Sequence, residues 1–501
     1  MDFSGIILGF SVALIPLNLF YCFVGVTLGT FIGVLPGLGP LVTISLLLPI
    51  TFSLPPETAL IMLAGIYYGS AYGGSTTAIM VNIPGESSSV VTCLDGYQMA
   101  RQGRAGPALA MAAISSFIAG TIATVIVAAF APVLAGWALS FQSPEYFSLM
   151  ALGLITATAL SSGSLLKSLG MVVVGLLFGL VGTDVTSGAF RYTFGFMQLT
   201  DGLSFVVVAM GLFGIAEVIT MLERPSPRAV LSISIRNLMP SGQDFRASWL
   251  PILRGTGIGS VFGILPGAGT SISSFMAYAV EKRSARDPAR FGKGAIEGVA
   301  GPEAANNAAA QTSFIPTLTL GIPGSATMAL MLGALMVYGI PPGPRVISTN
   351  PELFWGLIAS MWIGNLMLVV LNLPLIGLWV RMLTVPYRWL YPAITLLCCV
   401  GVYTLANSSF DVYVMAAFGL LGYAFRKLDC PPAPLLLGFV LGPMMEENLR
   451  RSMLLSRGDP SVFLTRPLSL AMLVVGIILL VLAVLPAIRA RRAKLEEAEE
   501  A

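Results

Sequence analysis

The chain has 501 residues, of which 56% are hydrophobic and only 10% charged, with a mean hydropathy of +0.86. Soluble domains carry roughly 25% charged residues, so this balance excludes an ordinary soluble globular protein. A net charge of +3 without a long basic stripe gives no footing for nucleic acid.

Apolar stretches of about 20 residues, enough to cross a bilayer, recur along nearly the whole length. In chain order the candidates are 4–21, 58–80, 107–139, 144–162, 165–182, 201–222, 353–379, 386–406, 411–424, 432–445 and 467–488. Several are short or merge, so the expectation is an all-α polytopic membrane protein with about 10–12 transmembrane helices. The first stretch follows MDFSG, which lacks the positive flank of a secretory signal, and reads as the first span. Five cysteines show no CxxC spacing, and three lie in apolar stretches, where a small buried hydrophobe is the expected role.

Two passages occur twice. GVTLGTFIGVLPGLG from Gly25 and GTGIGSVFGILPGAG from Gly255 align at an offset of 230, which matches Gly29, Gly33, Pro36, Gly37 and Gly39 with Gly259, Gly263, Pro266, Gly267 and Gly269. NIPGESS from Asn82 and GIPGSAT from Gly321 align at an offset of 239. Broken apolar segments at corresponding positions of two halves point to a transporter's binding site. The backbone groups they free are tolerated in a membrane only when buried in protein or lining a cavity.

Lys and Arg gather in four loops: Arg101 to Arg104, Arg224 to Arg254, Lys282 to Lys293, and a tail with Arg489, Arg491, Arg492 and Lys494. The positive-inside rule puts all four in the cytoplasm. About 26 residues separate Arg254 from Lys282, too few at ~1.5 Å rise to cross a ~30 Å core and return. The second LPG is therefore expected at the tip of a re-entrant hairpin. In the first half the basic loop follows NIPG, whereas in the second it precedes GIPG. The halves are thus expected to be inverted-topology repeats, each with a re-entrant, broken-helix hairpin, and the N-terminus to be cytoplasmic. The expected division is a first repeat 1–222 (hairpin near 22–52, broken helix near 67–95) and a cytoplasmic linker 223–250. A second repeat 251–465 (hairpin near 251–280, broken helix near 301–340) and a C-terminal helix with cytoplasmic tail 466–501 complete it.

Glycine at every fourth residue of each arm lets helices approach backbone to backbone in lipid, which assigns Gly25, Gly29, Gly255 and Gly259 to packing. Beyond the prolines, Gly37, Gly39, Gly267 and Gly269 are expected to take positive φ and expose N–H groups, and the helix starting there aims its positive dipole end at the midplane. Candidate substrate-binding residues are Pro36, Gly37, Gly39, Asn82, Pro84, Gly85, Ser87, Ser88, Pro266, Gly267, Gly269, Thr270, Pro323, Gly324 and Ser325. For any single hydroxyl among them, capping a helix start is an equally open role. The stretch YYGSAYGGSTT from Tyr67 and its counterpart GPEAANNAAAQTS from Gly301 are unusually polar for spans. Ser75, Thr76, Thr77, Glu303, Asn306 and Asn307 offer the hydroxyl, amide and carboxylate oxygens that a Na⁺ site uses. Histidine is absent, which leaves Glu57, Glu86 and Glu303 as candidate proton carriers; Glu57, at a helix start after two prolines, is expected to complement the dipole.

The blocks GVLPGLGP, YYGSAYGGSTTAIMVNIPGESSSVVTCLDGYQMARQGRAGPAL, GILPGAG and GPEAANNAAAQTSFIPTLTLGIPGSATMALMLGAL resemble the large membrane subunit (TctA) of the bacterial tripartite tricarboxylate transporters, over nearly the whole chain. The resemblance implies import of citrate-like di- and tricarboxylates, or some aromatic acids, across the inner membrane, driven by a Na⁺ or H⁺ gradient. No other cofactor is implied. It also implies two partners, a small membrane subunit (TctB-like) and a periplasmic solute-binding protein (TctC-like). A passive organic-anion channel would share the broken helices without needing coupling residues. An enzyme is not expected, since HExxH, GxSxG and any Cys–His pair are missing.

Overall fold

Proline sets where many helices begin. Pro16, Pro40, Pro56, Pro351 and Pro432 each open a helix, at a position whose N–H has no partner within the helix. The computed structural model describes residues 3–35, 38–159, 164–184, 186–223, 238–265, 269–383 and 387–499. These are almost wholly helical, apart from one two-stranded antiparallel ribbon pairing Gly182–Thr183 with Phe190–Arg191. Among the described residues, five helices are long and apolar enough to span a bilayer: Pro16–Gly33, Ala105–Ala138, Phe205–Glu223, Pro351–Asn372 and Pro467–Val484. The other expected spans are helical at close to the expected bounds or beyond them, as in Pro56–Val81, Ser143–Ala159, Tyr387–Ala406, Ser409–Lys427 and Pro432–Leu455. The stretch 4–21 is two helices, Phe3–Ala13 and Pro16–Gly33, because Pro16 cannot continue the ladder and Asn18 Nδ2 takes the Val12 carbonyl at 2.8 Å.

The centre holds the two helices that carry the stretches YYGSAYGGSTT and GPEAANNAAAQT. Pro56–Val81 is buried from Thr58 to Met80, and Glu297–Thr312 from Gly298 onward. Each is clasped by the first arm of its own half. An added Cβ on Gly25, Gly29 or Gly33 would come within 2.3, 2.4 and 2.4 Å of the carbonyl oxygens of Met62, Ile66 and Ser70. On Gly255, Gly259 and Gly263 it would come within 2.3, 2.2 and 2.5 Å of those of Gly301, Ala305 and Ala309. The clasped residues are themselves related by 239, the offset that carries Asn82 to Gly321. The sequence repeat is thus a repeat of contacts.

A later, longer helix of each half packs on the opposite half. Ser116, on Ala105–Ala138, accepts from Asn307 at 2.6 Å, and Asn365, on Pro351–Asn372, accepts from Tyr72 at 2.8 Å. These two helices also touch each other. Asn365 Nδ2 donates to the Phe117 carbonyl at 3.0 Å and Trp362 Nε1 to that of Thr121 at 3.2 Å, so they run antiparallel.

The second hairpin returns on itself, as Arg254 of Gly242–Ile264 forks onto Glu281 of Gly269–Ser284 at 2.7 and 2.5 Å. Its first arm begins earlier than expected. Residues 242–250, placed above in the linker, are helical, opened by a reciprocal Ser241–Asp244 capping box. Linker residues 224–237 lie outside the described residues. Basic loops gather at this end of the molecule, where Arg104 pairs with Asp244 at 2.6 Å and Gln102 Nε2 donates to the Lys293 carbonyl at 2.8 Å.

Candidate functional site

Four helix breaks define the site. Gly39, at φ −72° rather than the expected positive φ because an N-cap residue is extended, precedes Pro40–Thr51, and Gly269, at the expected positive φ of +58°, opens Gly269–Ser284. Pro36, Gly37, Pro266 and Gly267 lie outside the described residues. In the second break of each half, Asn82 (φ 57°) and Gly321 (φ 70°) both turn into the left-handed region, which glycine and asparagine adopt at least cost. Asn82 ends Pro56–Val81 in this way, so its identity already has a backbone reason. After Pro84 and Pro323 the chain restarts at Glu86, the N-cap of the single turn Ser87–Ser89 before Val90–Arg101, and at Ser325. Ser325 caps Ala326–Val337, accepting from the Met328 N–H at 3.2 Å.

The breaks meet pairwise and then across the halves. A Cβ on Gly39 would lie 3.2 Å from the Gly85 carbonyl, and one on Gly269 would lie 4.0 Å from Ser325 Cβ. Gly85 sits so tightly on Gly74 that its own Cβ would come within 2.4 Å of the Gly74 Cα. Ser87 and Ser271 then share a hydrogen bond of 2.5 Å between the halves. Ser87 is exposed, while Glu86, Gly269, Thr270 and Ser325 are half-buried. The carbonyl of Thr270 is occupied by Ser273 and Ser274 hydroxyls. The starts of helices from both halves, with their positive dipole ends, therefore converge on one partly accessible spot.

Two carboxylates adjoin it. Glu86 Oε1 accepts from Asn306 Nδ2 at 3.0 Å and from the hydroxyl of buried Ser88. Glu303, 1% exposed, accepts from Ser75 at 2.7 Å and from Thr92 at 2.5 Å. Asn307, one turn on, donates to Ser116 and to the Glu303 carbonyl. Among the described residues, no Lys or Arg nitrogen lies within 4.0 Å of either carboxylate. A cavity of about 10 Å³, room for about one water, is lined by Tyr72, Ser75, Thr76, Ser116, Glu303 and Asn372. The amide oxygens of Asn306 and Gln311 are buried without a hydrogen-bond partner.

The six ion-coupling candidates thus divide. Ser75, Glu303 and Asn307 form one cluster with Thr76 at its cavity, and Asn306 belongs to Glu86. Thr77 is on another face, tying its helix to the Val34 carbonyl at 2.7 Å. Thr92 and Ser116 are members that the sequence did not single out, because a lone hydroxyl in a helix carries no periodic signal. Asp95 was also missed. Buried completely, its Oδ1 accepts from the backbone N–H groups of Gly292, Gly294 and Ala295 at 2.8–2.9 Å, and its Oδ2 from Tyr278 at 2.9 Å. It pins the loop after the second hairpin to the first half.

The pattern of the Tripartite tricarboxylate transporter TctA family matches residues 19–437. Two proteins of Agrobacterium vitis are similar. The "Uncharacterized 52.8 kDa protein in TAR-I ttuC' 3'region" is 58% identical over 474 residues, covering 95% of this chain and 94% of its own length. The "Uncharacterized protein in TAR-II ttuC' 3'region" is 60% identical over 220 residues, 44% of this chain and 91% of its own length. No solved structure matches. The family match spans both hairpins, both central helices and the four breaks between them, in a multi-pass helical membrane protein. With every part of the candidate site inside the matched region, the chain belongs to the tripartite tricarboxylate transporter TctA family.

Proposed function

We propose that the chain is the permease subunit of a binding-protein-dependent secondary transporter that imports citrate-like di- and tricarboxylates across the bacterial inner membrane. A small membrane subunit and a periplasmic solute-binding protein would complete the system, as the family name implies. The carrying observation is the convergence of the helix breaks of both halves at Ser87 and Ser271. Free N–H groups and hydroxyls there suit a carboxylate that must be desolvated and released again.

Cation coupling has its own support. Glu86 and Glu303 beside an anion site would repel the solute while ionised and uncompensated. A Na⁺ or H⁺ arriving first removes that obstacle, so solute and cation would travel together. Oxygen donors at Glu86 and Asn306 suit Na⁺; the paired hydroxyls on Glu303 suit a carboxyl that gains and loses a proton.

The two repeats would be inverted in the bilayer, a reading supported by the antiparallel run of Ala105–Ala138 and Pro351–Asn372, which hold corresponding places in the two halves. Both termini would then be cytoplasmic. The test is uptake of radiolabelled citrate into proteoliposomes holding both membrane subunits and the neighbouring-gene binding protein. Accumulation against a gradient, lost on removing Na⁺ or adding an uncoupler, is expected. Downhill flux indifferent to both would make it a channel.

A further inference from the structure

Between the two arms of the second hairpin lies a cavity of about 550 Å³, lined on one side by Arg246, Leu250 and Arg254 and on the other by the loop around Arg286 and Arg290. Its three carboxylates are already engaged. Glu281 is held by Arg254 and Glu297 by Arg290 at 3.2 Å, while Asp287 caps a turn by accepting from the Ala289 N–H at 3.1 Å. That leaves Arg246 and Arg286 as lining guanidinium groups with no ion-pair partner among the described residues. Both are exposed and lie at the basic end of the molecule.

The same helix carries a second stripe beside the first. Phe245, Trp249 and Leu253 are all exposed and recur at every fourth residue, within about 80° on one face of the arm, turned to the surroundings. Arg246, Leu250 and Arg254 follow one residue behind, on the adjacent face that lines the cavity. A forked cation site next to a lipid-facing apolar rail, with a tryptophan near the rail's polar end, has the layout of an anionic lipid pocket. Inorganic phosphate or a free carboxylate would use the guanidinium groups and leave the rail unexplained.

We infer that this cleft binds the phosphate headgroup of an anionic phospholipid, with its acyl chains laid along Phe245, Trp249 and Leu253. The site is independent of the helix breaks and of the transport reading. Binding is measured on the purified full chain in detergent, by native mass spectrometry with phosphatidylglycerol, phosphatidylcholine or inorganic phosphate. Phosphatidylglycerol is expected to bind in preference to phosphatidylcholine. R246Q/R286Q is expected to weaken it about 10- to 30-fold, from roughly one tenfold step or less per guanidinium. R283Q, which removes an exposed arginine outside the cleft, is expected to change nothing, and R286Q alone supplies a milder variant should the double one unfold. Equal binding of phosphatidylcholine, undiminished binding by both variants, or displacement by millimolar phosphate would overturn the assignment, the last outcome marking a soluble-anion site.

Discussion

Ser75 and Glu303, 228 positions apart and in different halves of the chain, share a 2.7 Å hydrogen bond in the buried centre. Thr92 holds the other oxygen of the same carboxylate. The first half therefore supplies the donors and the second half the acid, so ionisation of Glu303 acts on the interface between the halves. E303Q keeps the shape and removes the titration. Gradient-driven citrate uptake by E303Q proteoliposomes is expected to fall to the level of empty vesicles, while counterflow exchange of bound solute persists. Uptake at wild-type rates, still sensitive to the ion gradient, would remove Glu303 from coupling. S75A is expected to fold less stably by about 1–3 kcal/mol, through the acceptor it leaves short of a donor, seen as a lower Tm in detergent.

Helix contact in this fold is read most directly from glycine. At Gly259 a methyl group would sit 2.2 Å from the Ala305 carbonyl, whereas at Gly257, on the same helix, it would meet nothing within 4 Å. G259A is expected to cost on the order of 1–3 kcal/mol or more as the arm is pushed off its partner. G257A is expected to stabilise by about 0.5–1 kcal/mol through helix propensity. Thermal melts of the two purified variants should move in opposite directions; parallel shifts would contradict the packing.

This explains what the sequence could disclose. Backbone-to-backbone contact demands glycine at each turn, so the arms advertised themselves as GxxxG repeats, and the left-handed turns surfaced as Asn82 and Gly321. The carboxylate cluster was only half legible. Glu303 was conspicuous as a charge in an apolar chain, but Thr92, which reaches it, and Ser116, which accepts from Asn307 beside it, come from helices whose hydroxyls are ordinary. The start of the second hairpin at Gly242 was overlooked because its first turns are polar, although Ser241 and Asp244 carry the spacing of a capping box.

At the ribbon, Asp184 joins a network outside the spans. The Thr186 N–H and the Arg450 guanidinium hold its carboxyl well below the ordinary carboxylate range. A carboxyl depressed in the folded state stabilises it above the unfolded value near 4, and that contribution fades as pH falls toward the folded one. D184N should therefore lower the Tm by the same amount at pH 8 and pH 5, with the gap to wild type closing only below about pH 4. A gap that already shrinks between pH 8 and pH 5 would mean the carboxyl is not held down.

Asn82 separates backbone from substrate contact. Its φ of 57° is matched by φ 70° at Gly321, so the turn requires only a residue at ease in the left-handed region. N82G should therefore keep the fold nearly intact, whereas N82A should cost about 1–2 kcal/mol, the strain of holding a methyl-bearing residue there. Citrate uptake by N82G decides the rest. Full uptake would leave the residue a purely conformational role, and a raised KM at unchanged Tm would give its amide a place against the solute. Because Gly321 completes the equivalent turn without a side chain, the first outcome is the one expected.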